Sequence, residues 1–98
     1  LEYDLFGLES SHYPLSEIDM PSDGQRMDLI RRLVDDGFGD RIVIAHDICT
    51  KHRLVKYGGH GWAHIVEHIG PGLIRKGLSK EAVHAILVDN PARALTFA

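Results

Sequence analysis

Asp47 is the residue of this sequence best placed to do chemistry. It follows a short apolar run, Arg41 to Ala45 (RIVIA), which ends abruptly in His46 and Asp47. A β-branched run of this kind suits a strand covered on both faces, as in a parallel sheet. Ligand sites gather at the carboxyl ends of such strands, because the following loops converge there. A carboxylate at that point can bind a divalent cation or accept a proton as a general base. The alternative is an aspartate that caps a turn.

His60, His64 and His68 are spaced by four, which aligns them on one face of a continuous helix. Two histidines so spaced can chelate zinc. The metalloprotease version needs Glu directly after the first His, where Gly61 stands, so a solvated or substrate-loop face is the expectation. Glu2 and Asp4 share one strand face, with Asp4 nearer the active end. There it either supports the site by hydrogen bonding or enters a buried ion pair. His52, Arg53 and Lys56 make the loop after Asp47 locally basic, to meet an anionic substrate group or to stand in solvent. Cys49 has Lys51 and His52 close by, which could lower a thiol pKa, but lacks a nucleophile architecture and reads as inert. The run Tyr57 to Gly61 (YGGHG) has neither the Gly-Lys-Ser/Thr of a P-loop nor a dinucleotide-binding glycine pattern.

The elements that must position these groups can be read from periodicity and punctuation. Residues 1–6 alternate apolar and acidic as a strand does, and 7–21 form a loop rich in Ser, Pro and Gly. A helix over 22–36 opens on Ser22 and Gln25 at capping-box spacing and stops at Gly37. Its apolar face is Met27, Ile30, Leu33 and Val34. The second strand covers 41–46, and a glycine-rich loop covers 48–61. Helices are expected over 62–76, with a kink or break at Pro71, over 79–88, capped by Ser79, and over 91–95, with Asn90 as cap.

Ninety-eight residues make one domain at most. Apolar residues are 44% and charged residues 26%, and 11 basic side chains face 14 acidic ones for a net charge of −3. That balance argues against a partner held by polyanion electrostatics, so no nucleic acid is expected. No run approaches the roughly 20 apolar residues of a membrane span. A lone cysteine removes any internal disulfide or cysteine-rich zinc module, and a cytoplasmic setting is the expectation. One physical difficulty remains. Two parallel strands joined by a helix cannot cover both faces of RIVIA, and isolated two-stranded sheets are marginal. A closed eight-stranded barrel would cover them but takes about 250 residues. The chain also opens on a strand at Leu1, so a fragment is expected.

Residues 41–65, RIVIAHDICTKHRLVKYGGHGWAHI, resemble the phosphotriesterase family of the amidohydrolase superfamily, closest to its phosphotriesterase-related, lactonase-like branch. LEYDLFG is similar to the family's seventh barrel strand, MPSDGQRMDLIRRLVDDGFGDRI to the helix and turn after it, and VDNPARALTF to its closing segment. The resemblance implies an α/β fold, the C-terminal portion (about the last two βα units) of a (β/α)8 TIM barrel. It implies two divalent metals, usually zinc, per complete barrel, of whose ligands only the eighth-strand aspartate has a counterpart here, Asp47. No His-x-His pair and no strand-end lysine occur, so this stretch by itself is expected to be inactive.

The activity so implied is hydrolysis of ester-type bonds (lactone, phosphotriester or related ester or amide) through a metal-bridged hydroxide, with Asp47 as metal ligand and proton acceptor. Substrate selection would fall to loops 7–21 and 48–61, including Tyr13, His52, Arg53 and Tyr57, with none assigned a contact. Expected partners are the small-molecule substrate, the remainder of the barrel and a second copy in a homodimer. The competing expectation is a non-catalytic half-barrel, or a histidine-rich metal-binding or assembly module without activity of its own.

Overall fold

A computed structural model describes residues 1–10 and 17–97. Strands β1 (Glu2–Tyr3) and β2 (Val43–Ile44) pair in parallel, with Glu2 opposite Val43 and Tyr3 opposite Ile44. The pairing is extended by Val43 N–H to the Leu1 carbonyl (2.9 Å), Ala45 N–H to Tyr3 (3.0 Å) and Phe6 N–H to Ala45 (3.3 Å). Regular ladder is therefore shorter than the strands expected over 1–6 and 41–46. Arg41 is taken up by a 3₁₀ turn, Gly39–Arg41. Both strands then end on a non-glycine residue with left-handed backbone, Leu5 (φ 69°) and Asp47 (φ 48°).

Helix α1 (Asp23–Asp35) starts on a reciprocal cap. Ser22 Oγ accepts from Gln25 N–H at 3.2 Å, and Gln25 Oε1 accepts from Ser22 N–H at 2.8 Å. Each bond satisfies an amide that the first helical turn leaves without a partner. Gly37, at φ 92°, turns the chain away at the other end, where its N–H reaches the Val34 carbonyl. Ile30 is fully buried, and Asp23 and Arg26 are buried beside it.

The C-terminal part holds α2 (Gly70–Arg75), α3 (Lys80–His84) and α4 (Asn90–Leu95). Ser79 Oγ accepts from Ala82 N–H at 3.1 Å to open α3. Two π-turns, Ile65–Ile69 and Ala85–Asp89, run without interruption into α2 and α4. Each immediately precedes a residue followed by proline, Gly70-Pro71 and Asn90-Pro91. A proline inside an α-helix lacks the N–H and collides with the carbonyl four residues back. Widening one turn, so that Gly70 N–H bonds Ile65 and Asn90 N–H bonds Ala85, removes that carbonyl from the path. The break expected at Pro71 is thus a wide turn, and 80–95 is one helical run instead of two helices. Asn90 is helical (φ −66°, ψ −47°) and 3% exposed, so it is not the cap expected at that position. Its amide donates instead to the Gly39 and Ile42 carbonyls, both at 2.8 Å.

The core is a single layer between the strands and these helices, with Phe6, Ile30, Ile42, Leu73 and Ile86 at its centre. Beside β2 an open groove of about 520 Å³, lined by Ile44, Asp47, Trp62, Val66 and Pro91 among others, reaches down to the core residues Ile65 and Ile86. Trp62 and Val66, on the segment that follows the loop, are 66% and 72% exposed, whereas Val43 and Ile44 of β2 are half-buried. No helix among the described residues is long and apolar enough to cross a membrane.

Candidate active site

Asp47 stands at the carboxyl end of β2, exposed, with backbone in the left-handed region. That region costs an ordinary residue about 1–2 kcal/mol and costs Asp or Asn less. Among the described residues its carboxylate accepts no hydrogen bond and forms no ion pair. Glu2 and Asp4 are also exposed, but Glu2 pairs with Val43 near the other end of β1, and Asp4 is the nearer of the two to Asp47. The Glu2 carboxyl is raised above its ordinary value by a hydrogen bond with Asp4, by the charge of Asp4, and to a lesser degree by Asp47. The buried ion pair considered for Glu2 and Asp4 is therefore not what forms. They are exposed like charges along β1, where a proton is favoured.

His46, one residue before Asp47, turns its ring toward the helices. Its Nε2 accepts from the Ile65 N–H at 3.3 Å, and the ring meets Trp62 edge-on at 6.2 Å. Burial, with the charges of His64 and Arg53, lowers its pKa and keeps it neutral enough to accept. It thereby ties the strand end to the first turn of the following helical segment.

Arg53 is neither solvated nor turned toward a ligand, the two roles expected of it, but 6% exposed. Its Nη2 donates to the Phe6 carbonyl (3.0 Å) and the His46 carbonyl (2.8 Å), and Nη1 lies 3.5 Å from the Asp47 carbonyl. Gly59 and Gly61 close on the backbone of this arginine. A Cβ on Gly59 would stand 2.2 Å from the Arg53 carbonyl carbon, and Gly61 N–H donates to the Arg53 carbonyl at 2.9 Å. Lys51 and Lys56 remain outside, with Nζ 5.4 and 5.7 Å from the centre of the half-exposed Tyr57 ring. His52 and Cys49 are exposed. Tyr13 lies outside the described residues.

The histidine series is divided. His64 is buried, with Nε2 donating to Asp23 Oδ2 at 2.6 Å, while His60 stacks on it at 4.4 Å and His68 stands in solvent. Asp23 also accepts from the Gly7 N–H (3.0 and 3.1 Å) and from Arg26 Nη1 (2.9 Å). Burial pushes the Asp23 carboxyl up, but hydrogen bonds from His64 and Gly7 outweigh it, and the group lies below its ordinary value. A zinc-holding histidine stripe does not form, because the central ring is committed to a carboxylate and its neighbour is stacked face-on. The solvated or substrate-loop face expected of the series likewise fails at His64. Asp23 and Arg26 went unnoticed in the sequence: nothing in their spacing distinguishes them from surface charges on the first turn of a helix.

Does this chain fit a divalent metal? Asp47 offers a hard carboxylate oxygen, exposed and without a donor among the described residues, the kind of ligand such ions take. Among the described residues no cluster of three or more His, Cys, Asp or Glu could enclose one. The chain fits as the contributor of one ligand, not as a whole site.

A sequence profile of the phosphotriesterase family matches residues 1–95. N-acetyltaurine hydrolase of Tetraodon nigroviridis is 56% identical over 98 residues, covering 99% of this chain and 28% of that protein. The protein of the same name from Dictyostelium discoideum is 54% identical over 97 residues, covering 98% of this chain and 26% of its own length. Among solved structures, a resiniferatoxin-binding protein from Rhodobacter sphaeroides superposes with a TM-score of 0.87 at 37% identity, over 94% of this chain and 25% of that one. A phosphotriesterase homology protein from Escherichia coli, complexed with phosphate in its active site, gives 0.78 at 26% identity, over 94% and 29%. The chain thus spans little more than a quarter of the relatives it matches.

Proposed function

The chain belongs to the phosphotriesterase family, and from that premise we propose that it supplies the C-terminal quarter of a metal-dependent barrel hydrolase that cleaves a small acyl compound. The geometry that carries this reading is Asp47: an exposed, unengaged carboxylate at a parallel strand's carboxyl end, on left-handed backbone held by a buried arginine. A bound pair of divalent ions, in such an enzyme, would acidify a water and polarise the scissile carbonyl.

The part of Asp47 is to take the proton. As a water oxygen attacks the acyl carbon, one carboxylate oxygen of Asp47 accepts the proton, then passes it to the departing nitrogen or oxygen as the carbon–heteroatom bond breaks. For an amide the products are a carboxylic acid and an amine. Glu2, whose carboxyl is raised in part by the charge of Asp47, adds to the negative potential around it. The names of the relatives favour an N-acylated aminosulfonate, N-acetyltaurine, over a lactone or phosphotriester. The exposed Lys51 and Lys56 have the charge that a sulfonate would meet, with His52 exposed beside them.

The test is Asp47→Asn in the full-length protein, assayed with N-acetyltaurine, a lactone and a phosphotriester. Turnover is expected on the amide, falling by 100-fold or more in the variant, roughly the contribution of a positioned base. Undiminished turnover in the variant at saturating metal would overturn the role of Asp47. Turnover confined to the lactone or phosphotriester would overturn the substrate assignment.

A further inference from the structure

We propose that Arg53 is a positioning residue that fixes the backbone of Asp47, and that Gly59 and Gly61 hold the backbone of Arg53 in place. The inference rests on the role given to Asp47 above. The peptide units on either side of the Asp47 Cα are those of His46 and Asp47. One guanidinium reaches both of their carbonyls, the first at 2.8 Å and the second, more weakly, at 3.5 Å. Rotation about either backbone bond of Asp47 would draw one carbonyl off that planar group. The φ of 48° is thereby held from both sides, and with it the direction in which the carboxylate leaves the chain. The third contact, Nη2 to the Phe6 carbonyl at 3.0 Å, references the same group to the end of the neighbouring strand. Arg53 so sets Asp47 against β1 as well as along β2.

Burial makes this costly to undo. Arg53 is 6% exposed, and the carbonyls it satisfies belong to two strand ends that the sheet itself leaves without partners. The loop around it is built for close approach. Arg53 N–H donates to the Thr50 carbonyl at 3.2 Å, Gly61 N–H closes on the Arg53 carbonyl, and Gly59 lies so near that any side chain would enter the Arg53 backbone. Lysine could keep the charge but would place a single ammonium where a fork spans three acceptors.

Four forms of the full-length protein separate the possibilities: wild type, Asp47→Asn, Arg53→Lys and Gly59→Ala. Each is measured for zinc affinity by competition with a chelating dye, for kcat and KM on N-acetyltaurine, and for its thermal midpoint. Arg53→Lys is expected to weaken zinc binding and lower kcat by about 10- to 100-fold, as loss of a group supporting a ligand does. KM should shift much less than kcat. Gly59→Ala leaves the guanidinium but displaces its backbone, and is expected to lower the same two quantities. It decides the matter if Arg53→Lys does not fold. If Asp47→Asn disrupts zinc binding and turnover while folded Arg53→Lys and Gly59→Ala match wild type, the positioning role is overturned and the reading of Asp47 survives. If Asp47→Asn itself matches wild type, the reading of Asp47 fails and the positioning role fails with it.

Discussion

Asp23 shows how much one buried carboxylate can hold. It accepts from the Gly7 amide at the exit of β1, from Arg26 one helical turn on and from His64 of the C-terminal segment, while its own N–H donates to Glu9 at 2.8 Å. Among the described residues Arg26 Nη2 and His64 Nδ1 are buried without partners, so the cluster already carries unsatisfied donor and acceptor capacity. Replacing Asp23 by Asn leaves the Arg26 charge buried without its counter-ion. In the full-length protein that should cost about 3–5 kcal/mol in urea unfolding. The pH dependence follows from the lowered carboxyl. The stabilisation is fully present above the unfolded value of 3.8 and is lost as pH falls through the lower folded value. Asp23→Asn should flatten that acid limb of stability, and an unchanged limb would mean that other carboxylates dominate it.

Elements held by local chemistry were legible in the sequence, and those held by distant partners were not. The Ser22–Gln25 cap and the Gly37 stop depend on residues a few positions apart, and spacing reveals them. Asn90 reads locally as a cap before a proline, yet it works 48 residues away on the Ile42 carbonyl. Asn90→Ala should therefore strip the Gly39 and Ile42 carbonyls at the entrance to β2 of their donor. The expected cost is about 2 kcal/mol, from leaving buried acceptors unpaired, against about 1 kcal/mol for an ordinary cap. A thermal denaturation series including Ser79→Ala, a true cap, checks the contrast. Arg53 went unread for the same reason. Its partners Phe6 and His46 are brought to it by the parallel pairing, and a basic residue in a polar, glycine-rich loop carries no mark of burial. The position of Asp47 was legible because a strand's carboxyl end is a local sequence feature, whereas the arginine behind it is a product of topology.

At the scale of the molecule, this chain has the layer of core that lies outside a parallel sheet and lacks the layer inside it. Trp62 and Val66 line an open groove beside β2, and among the described residues only two strands are present, with unpaired outer edges. Exposed strand edges and contiguous apolar surface promote association. Produced alone, the segment should self-associate on a sizing column and bind an apolar dye, and should take up no stoichiometric zinc. A monodisperse, zinc-loaded segment would contradict both the open-layer description and the single-ligand assignment. The two wide turns before Pro71 and Pro91 bear on the history of this chain length. A π-turn is a helix that has absorbed one surplus residue without rotating the segments on either side. Deleting a residue from Ile65–Ile69 would leave Pro71 against a carbonyl, whereas replacing Pro71 alone would leave the surplus residue still held in the wide turn. Only the paired change restores a plain helix with both flanks in their places, so in such a segment the surplus residue is lost only with or after the proline.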